Sequence, residues 1–297
     1  MSGYTRGMDR RTHSPTVRLR RLARHLRRAR EDAGRSLTEA AKLLGWSGAK
    51  LGRLESAETR RITPGDLDKL ADLYGIGSDV LAEWRELAAQ AKERGWWTKY
   101  RKSGVFTDDL PDFEAEASFI RTYEPQVIPG LLQTPEYAEA LLRSGQAHED
   151  DAIAARVDAR MHRQQILHRH EPPTFWAIID EAALRRVVGS AEIMRAQINH
   201  LARMATRVGV TIQVLPYSAG AHPANMGAIL LLDYDSPLDP SLAYVETYAA
   251  SIWLEEPDEI TRTLEVFSHT SASALTGDAS ADAFRSQLAT LGSTADE

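Results

Sequence analysis

Three histidines, His162, His168 and His170, crowd into one basic stretch, and His222 follows a glycine-bearing loop. Imidazoles gathered on one face would suit a metal ion or a proton relay. The spacing does not gather them well: the second and third stand six and eight residues beyond the first, and no His-Glu-x-x-His word accompanies them. A solvated Arg/His-rich helix end is the plainer reading. The chain holds no cysteine, which removes disulfide frameworks, thiolate zinc sites and thiol nucleophiles. The loop over 218–227 lacks the Gly-Lys-Ser/Thr ending of a phosphate cradle, and no Gly-x-Ser-x-Gly elbow occurs. Asp180 and Glu181 follow an apolar run, where strands often present ligand contacts, but capping the next helix is a simpler use of the aspartate. Glu246 lies in another apolar run beside Val245 and would need a partner if it faced inward. No two acids are placed as an acid and a base. The expectation is a protein that is not an enzyme and uses no metal and no cofactor.

The chemistry that remains is charge. The net charge of −6 over 297 residues averages two opposed segments. Residues 1–61 carry 16 Lys/Arg against 6 Asp/Glu, a net +10; residues 62–297 carry 20 against 36, a net −16. One end can sit on a polyanion while the other avoids it. The length suits two domains, and 43% hydrophobic residues support packed cores. No apolar run approaches the ~18–20 residues of a membrane span, and the Arg-rich start lacks the apolar centre of a secretory signal. With cysteine absent, a cytoplasmic location is expected, nucleoid-associated when the basic end holds DNA as its polyanion.

The basic end is patterned for helices. Residues 1–14 are polar and aperiodic, expected as a disordered tail whose Arg6, Arg10 and Arg11 form an arm or are simply solvated. Leu19, Leu22, Leu26 and Ala29 then form one apolar stripe among seven arginines from Arg18 to Arg30. Ser36 to Glu39 (SLTE) matches a capping box opening a second helix, which Gly45 ends. After the short turn Gly45 and Trp46, a third helix runs from near Ser47 to Glu55, and two short helices so joined are the helix-turn-helix signature. Thr63, Pro64 and Asp66 open a fourth helix, with Leu67, Leu70, Ala71 and Leu73 inward. A fifth is expected near Ser78–Arg94.

The words LRRAREDAGRSLTEAAKLLGWSGAKLGRLESAETRRITPGDLDKLADLYGI resemble the five-helix domain of the XRE (lambda-repressor-like) regulators. The resemblance implies an all-α helix-turn-helix domain over 15–91 that binds double-stranded DNA, with Arg30 paired to Glu55. In that geometry the third helix enters the major groove. Ser47 then donates to a phosphate, Lys50 reaches phosphate or guanine, and Arg53 forks onto guanine. Arg60 and Arg61 suit a phosphate clamp or a solvated loop. Gly48, Ala49 and Gly52 stand where relatives often carry larger polar residues. The glycines weaken the helix by up to about 1 kcal/mol each and leave readout to Arg53, Lys50 and DNA shape.

A linker is expected over 92–112. Its Trp96, Trp97 and Tyr100 form an aromatic cluster, read either as a buried hinge or as a ligand-stacking site. From 113 to 297 strands interleave with helices, so this half is expected to be α/β or α+β. Phe113, Ala117, Ile120 and Arg121 fit an amphipathic helix ending before Tyr123, and 150–168 a longer one. Strands are expected at 174–180, 210–216, 228–234, 243–248 and, as an edge, 251–254. Helices follow at 258–275 and 279–291. The words GWWTKY, LPDFEAEASFIRTYEPQVIPGLLQTPEYAEALL, PPTFWAIIDEAALRRVVG and VTIQVLPYSAGAH are similar to the uncharacterised C-terminal domain of actinobacterial, WhiJ-like, antitoxin-like regulators. That likeness implies a homodimeric transcriptional regulator whose C-terminal domain senses a small molecule or a small acidic partner protein encoded nearby. Trp96, Trp97, Tyr100, Glu181 and Glu246 are the candidate contacts. The alternative is an antitoxin that acts mainly by binding its partner, with Arg156, Arg160, Arg163 and Arg169 as the basic patch and DNA secondary.

Overall fold

The computed structural model describes residues 15–59, 61–92, 109–145, 149–236, 239–247 and 251–293. Five helices come first: α1 (Pro15–Asp32), α2 (Leu37–Leu44), α3 (Gly48–Glu55), α4 (Pro64–Tyr74) and α5 (Ser78–Gln90). Short polar side chains start three of them. Ser36, Ser47 and Thr63 take extended backbone and accept from the amides of Glu39, Lys50 and Asp66. Asp66 returns a bond from its carboxylate to the Thr63 amide, completing a capping box. Gly45 closes α2 at a φ of 68°, where a side chain would be strained, and the Trp46 amide bonds back to the Ala41 carbonyl at 2.8 Å. The apolar stripes of all five helices meet in one core around Leu22, Leu26, Leu51, Leu67, Leu70 and Trp84. The fifth helix ends at Gln90, four residues short of the expected Arg94.

The second unit begins at α6 (Leu110–Glu116). The linker expected over 92–112 therefore closes early, and most of it, like the tail over 1–14, lies outside the described residues. Then come β1 (Phe119–Glu124), α7 (Pro135–Gly145), α8 (Asp150–Arg163), β2 (Thr174–Asp180), the short α9 (Glu181–Arg185) and α10 (Ala191–Met204). β3 (Val210–Leu215), β4 (Ile229–Asp233), β5 (Leu242–Glu246), β6 (Ser251–Leu254), α11 (Pro257–Ser273) and α12 (Gly277–Ser293) complete it. The strands form one mixed sheet in the order β3-β2-β1-β4-β5-β6, parallel across β3-β2-β1 and antiparallel from β1 to β6. One face packs under α6, α7 and α10; the other packs under α11. This is a two-domain chain, all-α and then mixed α and β.

One expected helix is corrected. Residues 119–124 form the central strand β1, flanked by β2 and β4, instead of continuing the helix of Phe113. Ala117 takes extended backbone and stops α6. The aromatic and β-branched FIRTYE run then pairs on both sides, and pairing outweighs the helical spacing of Ala117, Ile120 and Arg121.

The α1 helix serves both units. Leu22 and Leu26 face the helical core, whereas Val17 is part of the core beneath the sheet. Thr16 donates to Asp112 at 2.6 Å, Arg18 to Glu116 at 2.9 Å and Arg21 Nε to Asp239 at 2.7 Å. Arg20 pairs with Glu255 and stacks over the Phe113 ring, and Arg24 lies 4.0 Å from Asp239. Four arginines that the charge split assigns to an outer polyanion are therefore engaged within the chain. Opposite charge on a largely desolvated seam explains it: the side chain of Asp239 is 4% exposed between Arg21 and Arg24.

Candidate nucleic-acid interface

The α2-turn-α3 unit presents one smooth outward face. Leu51 and Leu54 are buried and anchor α3; Ser47, Ala49 and Arg53 are exposed, and Gly48, Lys50 and Gly52 are half-exposed. The Arg53 side chain makes no hydrogen bond or ion pair among the described residues, so its guanidinium is available to a base edge or phosphate. Arg61 is also exposed beyond the end of α3, and Arg60 lies outside the described residues.

Lys50 does not share that freedom. Its ammonium donates to Asp66 at 2.7 Å and lies 3.7 Å from the centre of the Trp46 ring. It braces α3 against the first turn of α4. Burial alone would raise the Asp66 carboxyl, but the bonds from Lys50 and Thr63 outweigh it and hold the group below the ordinary carboxylate value. The far end of α3 is held from α1. Arg30 Nε donates to Glu55 Oε1 at 2.9 Å, Nη2 to Oε2 at 3.0 Å, and Nη1 to the Arg35 carbonyl at 2.7 Å. The Glu55 bonds hold the Arg30 guanidinium above its ordinary value. Only 10% and 4% of the two side chains remain exposed, so this bidentate pair fixes α3 to α1 out of reach of solvent screening.

The two glycines of α3 are not required by packing. A Cβ on Gly52 would meet nothing within 4 Å, and one on Gly48 would meet only Leu37 Cδ2 at 3.8 Å. What they leave is a low surface beside Arg53, where a backbone can approach closely. Gly52→Ala is thus expected to stabilise the helical domain by up to about 1 kcal/mol while weakening DNA binding. Thermal unfolding and a binding titration on the same variant check both; unchanged affinity would remove the glycine from the interface.

The C-terminal candidates are scattered. Glu181 opens α9, where it pairs with Arg185 at 2.6 Å and accepts from the Tyr217 amide at 2.8 Å. Asp180 caps the same helix through the Ala182 amide at 2.8 Å and accepts from the Tyr123 hydroxyl at 3.1 Å. Burial first, then the Asp180 carboxylate, push that hydroxyl above the ordinary phenol range. Glu246 ends β5 at an exposed position, while Trp96, Trp97 and Tyr100 lie outside the described residues. His168 bonds to Arg207 at 2.8 Å. Among the described residues no group of His, Cys, Asp or Glu is placed to hold a metal ion. The basic patch near α8 is largely engaged: Arg163 binds Glu114 through Nη2 at 2.6 Å, and Arg169 donates to the carbonyls of Ala115 and Ala117. A recess between α1 and the sheet, lined by Val17, Arg24, Tyr234 and Leu242, has a cavity volume of only about 10 Å³, about what one water molecule needs. That is below the ~300–1,000 Å³ of small-molecule sites.

The role of α1 as a seam is what sequence reasoning missed. The signal was present in the opposed +10 and −16 segments, which can dock on each other as readily as the first can dock on a polyanion.

Residues 107–286 match the family model described as "Domain of unknown function (DUF5753)", and residues 21–84 match the one described as "Helix-turn-helix domain". No curated protein and no solved structure matches the chain. No helix among the described residues is long and apolar enough to cross a membrane.

Proposed function

Because the chain belongs to the DUF5753 domain family and carries a helix-turn-helix domain ahead of that domain, we propose that it is a transcriptional regulator that binds operator DNA through α3 and is controlled through its C-terminal domain. The observation that carries the DNA-binding part is the capped, doubly braced α3, with its unpaired Arg53 and smooth glycine face turned outward. A homodimer would set two such helices about one DNA turn apart on a near-palindromic operator. Control is supported by the seam: α1 grips α3 through the Arg30–Glu55 pair and the sheet domain through Arg18, Arg20 and Arg21. A small molecule or protein that shifts the C-terminal domain would thereby shift α3.

Genome-wide binding of the tagged protein would identify the operator, and a salt titration on that operator tests the interface. With the arginines of the seam engaged, Lys42, Arg53 and Arg61 are exposed and carry no ion pair among the described residues, which leaves about three or four phosphate contacts per protomer as the expectation. The expected slope of log K against log salt is then about −3 to −4 per protomer. A slope near zero would sink the electrostatic reading.

A further inference from the structure

The carboxyl ends of β1, β2 and β5 lie on one edge of the sheet, because β5 is antiparallel to β4 and β4 to β1. Open α/β sheets take ligands at such an edge. Leu230 of β4 pairs with Thr122 on one side and Tyr244 on the other, so Glu124 and Glu246, two residues further along, continue that row on one face. The α8 helix carries Arg156, Arg160 and Arg163 at steps of four and three, one stripe of guanidinium groups.

These charges are close enough to act on one another and yet are not joined. Burial first, then Glu246, push the Glu124 carboxyl up to about 7, with Arg163 and Arg160 working against the rise. Burial and Arg163 push Arg160 down to about 10, against the pull of Glu246 and Glu124. Among the described residues neither glutamate's carboxylate has a hydrogen bond or an ion pair. Among the described residues the Arg160 guanidinium bonds to the neutral amide oxygen of Gln133, at 2.5 Å, and to no carboxylate, and the buried Nε of Arg156 has no hydrogen-bond partner. Glu124, Arg156 and Arg160 are half-buried and Glu246 is exposed; charges withdrawn from water are normally paired or neutralised. The surrounding loop is built as a support. Gln133 donates to the Ile128 carbonyl at 2.7 Å, Gln164 to the Gly130 carbonyl at 2.9 Å and Gln197 to the Leu132 carbonyl at 2.7 Å. A firm frame around unjoined charges of both signs is what a preorganised binding site needs.

We propose that this cluster binds a small zwitterion of the amino-acid class, its carboxylate held by Arg160 and Arg156 and its ammonium by Glu124 and Glu246. A simple anion would leave the two glutamates facing each other, and a simple cation would leave the arginines unmatched; a molecule carrying both charges completes both halves. As the effector of DNA binding, the ligand rests on the regulatory reading above; as a ligand it does not.

The test uses the full-length chain. Each of the twenty amino acids is added at millimolar concentration in thermal unfolding, and those that raise the melting temperature are titrated by calorimetry. At least one is expected to bind saturably, and its deaminated acid and its decarboxylated amine to bind about tenfold or more weakly. Arg160→Gln and Glu246→Gln are each expected to weaken binding to a similar degree. Glu246 is exposed, so its variant stays informative even if the arginine variant does not fold. The proposal is overturned if no amino acid binds, or if Glu246→Gln leaves the affinity unchanged. DNA binding measured on the same preparation separates the two readings. Retained DNA binding with no amino-acid binding removes the zwitterion site alone, whereas amino-acid binding by a chain that never binds DNA removes the regulator.

Discussion

Glu55→Ala is expected to destabilise the helical domain by about 3–5 kcal/mol, because it strands the Arg30 guanidinium in a site where 10% of that side chain is exposed. Three of the bonds Arg30 makes end on Glu55, and the Arg35 carbonyl cannot replace a carboxylate. Urea unfolding followed through the buried Trp84 would register the loss. The double variant Arg30→Met with Glu55→Leu is expected to recover most of the stability, since the cost lies in an uncompensated charge more than in a lost attraction. It should still bind DNA poorly, because apolar contact does not fix the angle of α3 as a bidentate pair does. A loss below about 1 kcal/mol in the single variant would mean that water reaches the guanidinium.

The second large effect concerns readout. Arg53→Ala is expected to lower affinity for the preferred operator by about 5–150-fold, the 1–3 kcal/mol of a bidentate contact to guanine, while affinity for random duplex falls less. Arg61→Ala serves as the comparison. A phosphate contact weakens all sequences alike and flattens the salt slope by about one. Competition titrations with operator and random duplex measure both. If Arg53→Ala reduces the two affinities equally, the residue is a phosphate contact and sequence preference lies in DNA shape.

How much of this was legible in the chain depends on the range of the interaction. Helix starts at Ser36, Ser47 and Thr63 need only a side chain and an amide three residues on, and the local words announce them. Strands β2 to β6 fall within two residues of their apolar runs. β1 was hidden because its apolar residues also continue a helical spacing; only β2 and β4, brought in from 55 and more residues away, decide between the periods. Lys50 was legible as a cation near the DNA face but not as a brace, since Asp66 joins it from a different helix. The cluster at Glu124, Arg160 and Glu246 has no local signature at all. Its members come from β1, α8 and β5, 36 and 86 residues apart along the chain, and only the fold brings them within electrostatic reach of one another.

The seam on α1 also sets an order of events at the ribosome. The acidic partners of Arg18, Arg21 and Arg20 lie at residues 116, 239 and 255, so they leave the ribosome long after the arginines do. At ordinary rates of about 5–20 residues per second, the cationic side of α1 stays uncovered for roughly ten seconds or more. A nascent chain with its helical domain already formed is thus more attracted to nucleic acid than the finished molecule. Arrival of the last third of the sequence, which brings Asp239 and Glu255, damps that non-selective attraction.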